Sequence, residues 1–521
     1  MTPICAAKAG EDSRDPRPCR DYAPSNLRQV LFPGGPLLCH DPRINSMNEN
    51  SEAPRAGRFP PQIKFIIGNE ACERFSYYGM MSILTIYLSR GMNLGDTQGK
   101  EIVHLFATAV YFLPLFGAWL ADKWIGRYWT ILLISLFYCA GHGALAAFEG
   151  KLWGVYLGLA LIAIGAGGIK PCVSAFLGDQ FGEGNEKGLT RVYGWFYWSI
   201  NFGATFGFAL IPMIRDHHGY GWAFGVPGIA MAVATFIFWL GRKNYVRQPP
   251  TCQSHQAGVL KVLTFACKHR RQRQPGQRFL DVALAKFSPE EVNGVRAVGK
   301  IVLVFLTIPV FFALYNQVNS TWVLQGGKMT PFEVPIFFNF IEGHLVWFQV
   351  DGERMQAAGS ILVMIWVPIL TYLVYPLCEK LGLRPTPLRR MGVGLVLAAV
   401  TYVISGWMQG RIDAGEKLSL AWQLVPYVVL VAGEVLVSAT GLEFAFGEAP
   451  RSMRSLMMSF WLLTIAGGHF LIAVFTGLNA RFVKASGANE LYFYAGLMFA
   501  VSLLFMGIAA LVTGKRDLAR A

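Results

Sequence analysis

Charged residues are scarce in this chain of 521 residues. They make up 15% of it, whereas an ordinary soluble protein carries about 25%. Several catalytic signatures are absent as well, because the sequence contains no H-E-x-x-H, no G-x-S-x-G and no Walker A motif. Their absence excludes the metalloprotease, hydrolase and nucleotide-binding classes that depend on them. We therefore expect a protein that is not an enzyme.

Cysteine is also sparse and has no pattern. The nine cysteines form no C-x-x-C pair and no zinc-like spacing. Cys72, Cys139 and Cys172 fall in apolar segments, where a free cysteine behaves as a small packing residue. We expect no disulfide framework, no metal site and no organic cofactor.

Apolar residues are what this sequence has in abundance. They make up 53% of the chain, and windows such as Ala223–Leu240 and Ala495–Thr513 reach the roughly 18 apolar residues typical of a transmembrane helix. The sequence therefore predicts an all-α integral membrane protein. Its twelve apolar segments are residues 62–89, 101–121, 128–149, 152–179, 190–214, 222–241, 299–324, 356–379, 389–409, 420–445, 453–479 and 491–513.

The net charge of +14 fits the same interpretation. Lysine and arginine gather in alternate connections and in the stretch Lys268–Arg278, as the positive-inside rule requires of cytoplasmic loops. We therefore expect a lipid bilayer, and no nucleic acid, as the partner of this charge. The protein is expected in the cell membrane (the inner membrane in a bacterium), with several spans and both termini cytoplasmic.

The spans divide into two sets of six. We expect a disordered N-terminal extension over residues 1–58, with Met47 as an alternative start, and a six-helix bundle over 59–241. A basic cytoplasmic linker is expected over 242–298, a second six-helix bundle over 299–514 and a short cytoplasmic tail over 515–521. Corresponding loops carry GAWLADKWIGRYWT, Gly117–Thr130, and CEKLGLRPTPLRR, Cys378–Arg390. Such repeated halves are typical of secondary transporters, and the whole pattern resembles the major facilitator superfamily fold.

Three charged residues interrupt the first apolar segment. NEACERFSYYG, Asn69–Gly79, contains Glu70, Glu73 and Arg74, whose spacing places them on one helix face. Because a charge in hydrocarbon is costly, such residues normally face a cavity or a partner. Two carboxylates beside one guanidinium leave a negative charge over, so we expect one of them to take up a proton or to find a second cation.

Two further charges of opposite sign lie in other apolar segments. Lys170 follows the glycines of GAGGIKPC, where Pro171 could break the helix, and Glu434 is surrounded by apolar residues. One belongs to each half, so a zwitterionic ligand could bridge them. His104 is either a satisfied polar residue or a proton relay, since its ring titrates near neutral pH, and Tyr111 shares its helix face.

These motifs together resemble the proton-dependent oligopeptide transporter (POT) family. The matching stretches are NEACERFSYYG, FGAWLADKWIGR, GIKP, FYWSINFGA and GEVLVSATGLEFAFGEAPRSMRS, and the resemblance runs from about Phe59 to Thr513. It implies uptake of di- and tripeptides coupled to protons as the coupling ion, by a protein that works as a monomer.

The resemblance also implies roles for individual residues. Glu434 would bind the peptide ammonium and Lys170 the carboxylate, while Glu70, Glu73 and Arg74, with Lys170 and His104, would couple transport to protons. The remaining pocket residues would be Tyr77, Tyr78, Tyr111, Asn201, Asn316, Gln317, Ser438 and Trp461.

Three positions depart from the family pattern. Met81 replaces a second arginine, Asn316 replaces an acid that would be a partner for His104, and Gly359 stands where asparagine is common. Transport of nitrate or another small solute in the same fold, and a peptide sensor that does not transport, are the alternatives. The buried acid Glu434 disfavours an anion.

Overall fold

A computed structural model describes residues 60–181, 186–250, 259–274, 276–339, 344–448, 454–483 and 486–517. The N-terminal extension predicted to be disordered lies outside these residues, as does the end of the predicted tail, residues 518–521.

Long helices make up the first part of the described chain. They are Ile63–Ile86, Gly95–Phe112, Pro114–Leu120, Gly126–Ala147, Leu152–Asp179 and Glu186–Leu240. Gly126 (φ 77°) and Gly219 (φ 82°) bend the chain between successive spans, since glycine adopts this left-handed conformation without a Cβ clash. The helix Leu152–Asp179 continues through Pro171, so the break that this proline allowed does not occur.

The connection between the two sets of helices contains the short helix Val259–Lys268 and turns of 3-10 helix. The next helix begins at Pro289, before the expected start at residue 299, because Ser288 and Glu291 form a capping box there. The helices that follow are Pro289–Phe305, Ile308–Tyr315, Thr321–Gly326, Gln356–Ile369, Tyr375–Lys380, Pro387–Asp413, Leu424–Glu448, Arg454–Leu478 and Ala488–Asp517.

A β-hairpin that the sequence analysis missed joins two of these helices. Its antiparallel strands, Phe332–Asn339 and His344–Val350, pair Phe332 with Val350. The stretch carries aromatic and β-branched residues, which suit a strand. We call the side of the molecule where this hairpin lies the hairpin end, and the side that holds the connection 241–288 the linker end.

The lengths and apolarity of the helices suit a membrane. Nine helical segments of the described chain are long and apolar enough to cross it, and two of them, of 53 residues each, are about twice the length of one span. Ala488–Val512 has a mean hydropathy of 2.4 over its most apolar 18-residue stretch, and only 22% of that stretch is buried inside the protein. A surface this apolar faces lipid. The number of twelve spans stays a prediction.

Buried apolar side chains form two large clusters, one between Ile63 and Tyr245 and one between Val262 and Phe505. Close backbone contacts fix the helices inside each. A Cβ on Gly394 would lie 2.7 Å from the carbonyl oxygen of Gly433, so only glycine permits this approach, which positions the neighbouring Glu434. In the other cluster, a Cβ on Gly203 would lie 2.3 Å from the carbonyl oxygen of Ala71, on the helix that carries the three charges.

Candidate functional site

The three charges of the first helix form a buried ion-pair group. Glu70 is 1% exposed and Glu73 0% exposed. Arg74 Nε lies 2.7 Å from Glu70 Oε1 and 3.2 Å from Glu73 Oε2. The phenol of Tyr138 also interacts with Glu73, but it brings no positive charge. One guanidinium therefore faces two carboxylates, and one negative charge is left over.

Lys170 supplies the second cation that this excess charge requires. It interacts electrostatically with Glu70 and Glu73, but no described side chain lies within hydrogen-bonding distance of its Nζ. Its ammonium instead lies over two aromatic rings, 4.1 Å from the centre of Tyr77 and 4.5 Å from that of Tyr111, a cation–π arrangement. The four charges balance, and the lysine keeps its hydrogen-bonding capacity for a ligand.

A cavity lies between the two halves beside these rings. Its empty volume is about 850 Å³, a figure that includes its open mouth. Five of the predicted pocket residues line it: Tyr77, Tyr78, Tyr111, Asn201 and Asn316. The departures Met81 and Gly359 line it too.

Glu434 approaches the same cavity from the opposite half. It is partly buried on the helix Leu424–Glu448, and it interacts electrostatically with Tyr78 and Tyr315, which both line the cavity. Within the described part of the chain no cation is ion-paired to it. Lys170 and Glu434 thus lie behind tyrosines that line one cavity, on opposite halves. Neither has a partner of opposite charge at contact distance among the described residues.

His104 has two partners across the interface between the halves. Its Nε2 lies 2.7 Å from the hydroxyl of Ser320, and its Nδ1 lies 3.0 Å from Nδ1 of His469. His469 was not among the predicted site residues, although it is a lone histidine in the apolar run TIAGGHFLIAV, the same kind of signal as His104. His104 therefore has His469, on another helix, as a partner in place of the acid that Asn316 replaces.

Three other predicted pocket residues, Trp461, Gln317 and Ser438, are not among the residues that line the cavity. Trp461 is 4% exposed and packs edge-to-face on Phe305 and Phe312 in the core. Gln317 is buried near Tyr494, and Ser438 lies one turn after Glu434. Asn201, which lines the cavity, donates its amide to the backbone carbonyl oxygen of Tyr197 at 3.0 Å.

Ion pairs join the two halves at the hairpin end. Arg215 pairs with Glu353, and Arg354 pairs with Asp216. Neutral contacts add to them: Thr85 donates to the carbonyl oxygen of Asn319 at 2.6 Å. Burial raises the pKa of Glu353 to about 7, although Arg215 opposes the rise. These contacts hold the two halves together at the hairpin end.

Known proteins of a single transporter family resemble this chain. A family model described as "POT family" matches residues 128–491. The chain belongs to the POT family. Solute carrier family 15 member 2 of Mus musculus is 36% identical over 404 residues, 74% of this chain and 54% of the relative. Peptide transporter family 1 of Drosophila melanogaster is 36% identical over 372 residues, 68% of this chain and 48% of the relative. This POT family chain spans about half the length of the curated relatives it matches.

Solved structures of the POT family share the fold. A structure described as that of an auto-inhibited POT family peptide transporter matches with a TM-score of 0.78 at 37% identity, over 86% of this chain and 97% of that one. The POT family transporter PepTSo matches with a TM-score of 0.79 at 34% identity, over 88% of this chain and 99% of that one. The predicted family and the predicted helical membrane fold are both confirmed.

Proposed function

We propose that this POT family chain is a proton-coupled symporter that imports di- and tripeptides by alternating access. The observation that carries the proposal is a cavity lined by tyrosines that interact with Lys170 on one half and with Glu434 on the other. A peptide has a carboxylate at one end and an ammonium at the other. It can satisfy both charges at once, whereas a simple anion or a neutral sugar cannot.

Proton coupling is assigned to Glu70, Glu73 and Arg74 together with Lys170. With both carboxylates ionised, the two cations are neutralised within the group. A proton on either carboxylate leaves one positive charge uncompensated, and the peptide carboxylate can then interact with it favourably. Proton and peptide thus favour the same arrangement of the halves, which is what coupling requires. Loss of the proton restores the internal balance and expels the peptide.

The assigned topology places the hairpin end outside the cell, and the linker, 242–298, and both termini in the cytoplasm. The halves 59–241 and 299–514 rock around the cavity, and the molecule works as a monomer with no cofactor besides the proton. A membrane potential of 100 mV contributes about 2.3 kcal/mol per translocated charge, which corresponds to about fifty-fold accumulation of peptide per charge.

The proposal is tested with purified protein in liposomes, loaded so that an imposed pH gradient, acidic outside, is the only driving force. We expect labelled dialanine to accumulate above the level in protein-free vesicles and to be released by a protonophore. Nitrate in place of peptide is the control for the small-anion alternative, and Glu434 argues against its uptake.

Two results would contradict the proposal. Uptake of nitrate but of no peptide would favour the anion transporter. Peptide binding with neither gradient-driven uptake nor exchange would favour a sensor that does not transport.

A further inference from the structure

The two histidines at the interface are buried in a contact that joins opposite halves. His104 is 0% exposed and His469 2% exposed. Their rings have centroids 5.3 Å apart, and Tyr111 stacks on His469 at 5.7 Å. His104 lies on Gly95–Phe112 and His469 on Arg454–Leu478. A charge placed on this pair therefore acts directly on the contact between the halves.

The geometry of the pair limits the protons it can hold. Because the two Nδ1 atoms face each other at 3.0 Å, one must donate and the other must accept. That bond exists when both rings are neutral, and also when one ring carries an added proton, since the second ring still offers a lone pair. With two added protons, both Nδ1 atoms carry hydrogen, and two like charges face each other. The closed contact can hold one added proton and not two.

Ser320 completes this arrangement without restricting it. Its hydroxyl lies 2.7 Å from His104 Nε2 and can either donate or accept. It therefore follows whichever form His104 adopts, so the proton can sit on either ring.

The charged groups around the pair do not neutralise it. Lys100, one turn before His104, and Lys170, facing His469, both act on it with positive charge. Lys100 has its own partner in Glu490, at 3.8 Å, and Glu101 lies beside Gly477, two turns beyond His469. In the described ranges, no carboxylate is within ion-pair distance of either imidazole. The remaining titratable neighbours, Tyr111 and Tyr315, line the cavity together with His469.

We propose that His104 and His469 form a single proton-binding site shared between the halves, in which a second proton separates them at the hairpin end. This inference rests on the proposed symport and adds His469 to its proton-coupling residues. With two added protons on the histidine pair, the halves separate and the cavity opens at the hairpin end. After one of these protons leaves, the contact can form again and the cavity closes.

The test compares wild-type protein with His469→Asn in nanodiscs without peptide. Amide hydrogen exchange is followed over residues 82–104 and 470–483 and corrected for the intrinsic effect of pH. Asparagine can still donate a hydrogen bond to His104, but it cannot be protonated. We expect the variant to match the wild type at about pH 8 and to be more protected at about pH 5. Because Glu353 also titrates at this end, the difference between the two proteins is read at each pH.

His142→Asn is the matched control. His142 is also 0% exposed, and its Nε2 lies 3.0 Å from Ser76 within the N-terminal half. It should follow the wild type at both pH values, whereas His104→Asn should follow His469→Asn. The proposal is overturned when His469→Asn exchanges like the wild type at low pH, or when His142→Asn is protected to the same extent.

A transport measurement separates this inference from the proposed function. In liposomes, His469→Asn should lower the ratio of gradient-driven dialanine uptake to peptide counterflow about fivefold or more, the lower range of ordinary coupling. Unchanged gradient-driven uptake by this variant would overturn the inference and leave the symport intact. If the wild type moves no peptide but still opens at low pH in a His469-dependent way, the symport fails and the proton site stands.

Discussion

Replacing Glu434 by glutamine should weaken peptide binding through the loss of one charge, with little change in shape. A carboxylate and an ammonium about 4 Å apart interact with about 4 kcal/mol at the effective dielectric of a protein surface. Glu434 is only partly buried, and the ligand ammonium loses water on binding, so we expect a net loss of about 2 kcal/mol, or about thirty-fold in Kd.

The assay is equilibrium binding of dialanine to purified protein, repeated with N-acetyl-dialanine, which has no ammonium. The wild type should bind the acetylated peptide about thirty-fold more weakly. The variant should bind both peptides with equal affinity, because glutamine has no negative charge with which to favour the free ammonium over the acetylated terminus.

Glu443→Gln is the control for this experiment. Glu443 lies on the same helix but pairs with Arg390 at 3.0 Å, and Tyr375, the tyrosine it interacts with, does not line the cavity. Its replacement should leave both affinities unchanged. The reasoning is refuted if Glu434→Gln binds dialanine like the wild type, or if it still discriminates against the acetylated peptide.

Three further predictions concern the other parts of the site. Lys170→Ala should abolish proton-driven uptake, and unchanged uptake in liposomes would reject its role in coupling. Arg215→Ala and Glu353→Ala should each increase hydrogen exchange at the hairpin end, and the double variant should show little further increase, because each single change already breaks the ion pair between the halves; fully additive effects would contradict a direct pairing. Gly359→Leu should exclude bulky peptides while dialanine still binds, because a Cβ there meets only Tyr427 at 3.8 Å and a larger side chain would extend into the cavity. If the ratio of the affinities for dialanine and for a dipeptide of two phenylalanines is the same in the variant as in the wild type, this position does not limit the cavity.

The spacing of charged residues along one helix was enough to predict part of this site from the sequence. Glu70 and Arg74 are four residues apart, and helix geometry alone brings them to 2.7 Å. The excess carboxylate likewise implied a second cation. The aromatic contacts of Lys170 were not predictable, because they depend on how three separate helices pack around Tyr77 and Tyr111.

Other features were missed or assigned differently for physical reasons. A single histidine in an apolar helix gives the same pattern whether it packs or titrates, so His469 became visible only through its contact with His104. The strands from Phe332 to Val350 were overlooked in a sequence dominated by apolar helices. Trp461 was assigned to the pocket by resemblance, yet it packs against Phe305 and Phe312; its role in binding peptide stays a prediction.

The central claim is that proton and peptide share one conformational equilibrium through the charges around the cavity. Its most direct test uses a peptide gradient as the only driving force, with a pH-sensitive dye inside the liposomes and the membrane potential clamped. If proton and peptide are coupled in this way, external dialanine acidifies the interior of the liposomes and N-acetyl-dialanine does so far less. Peptide entry without any movement of protons would contradict it.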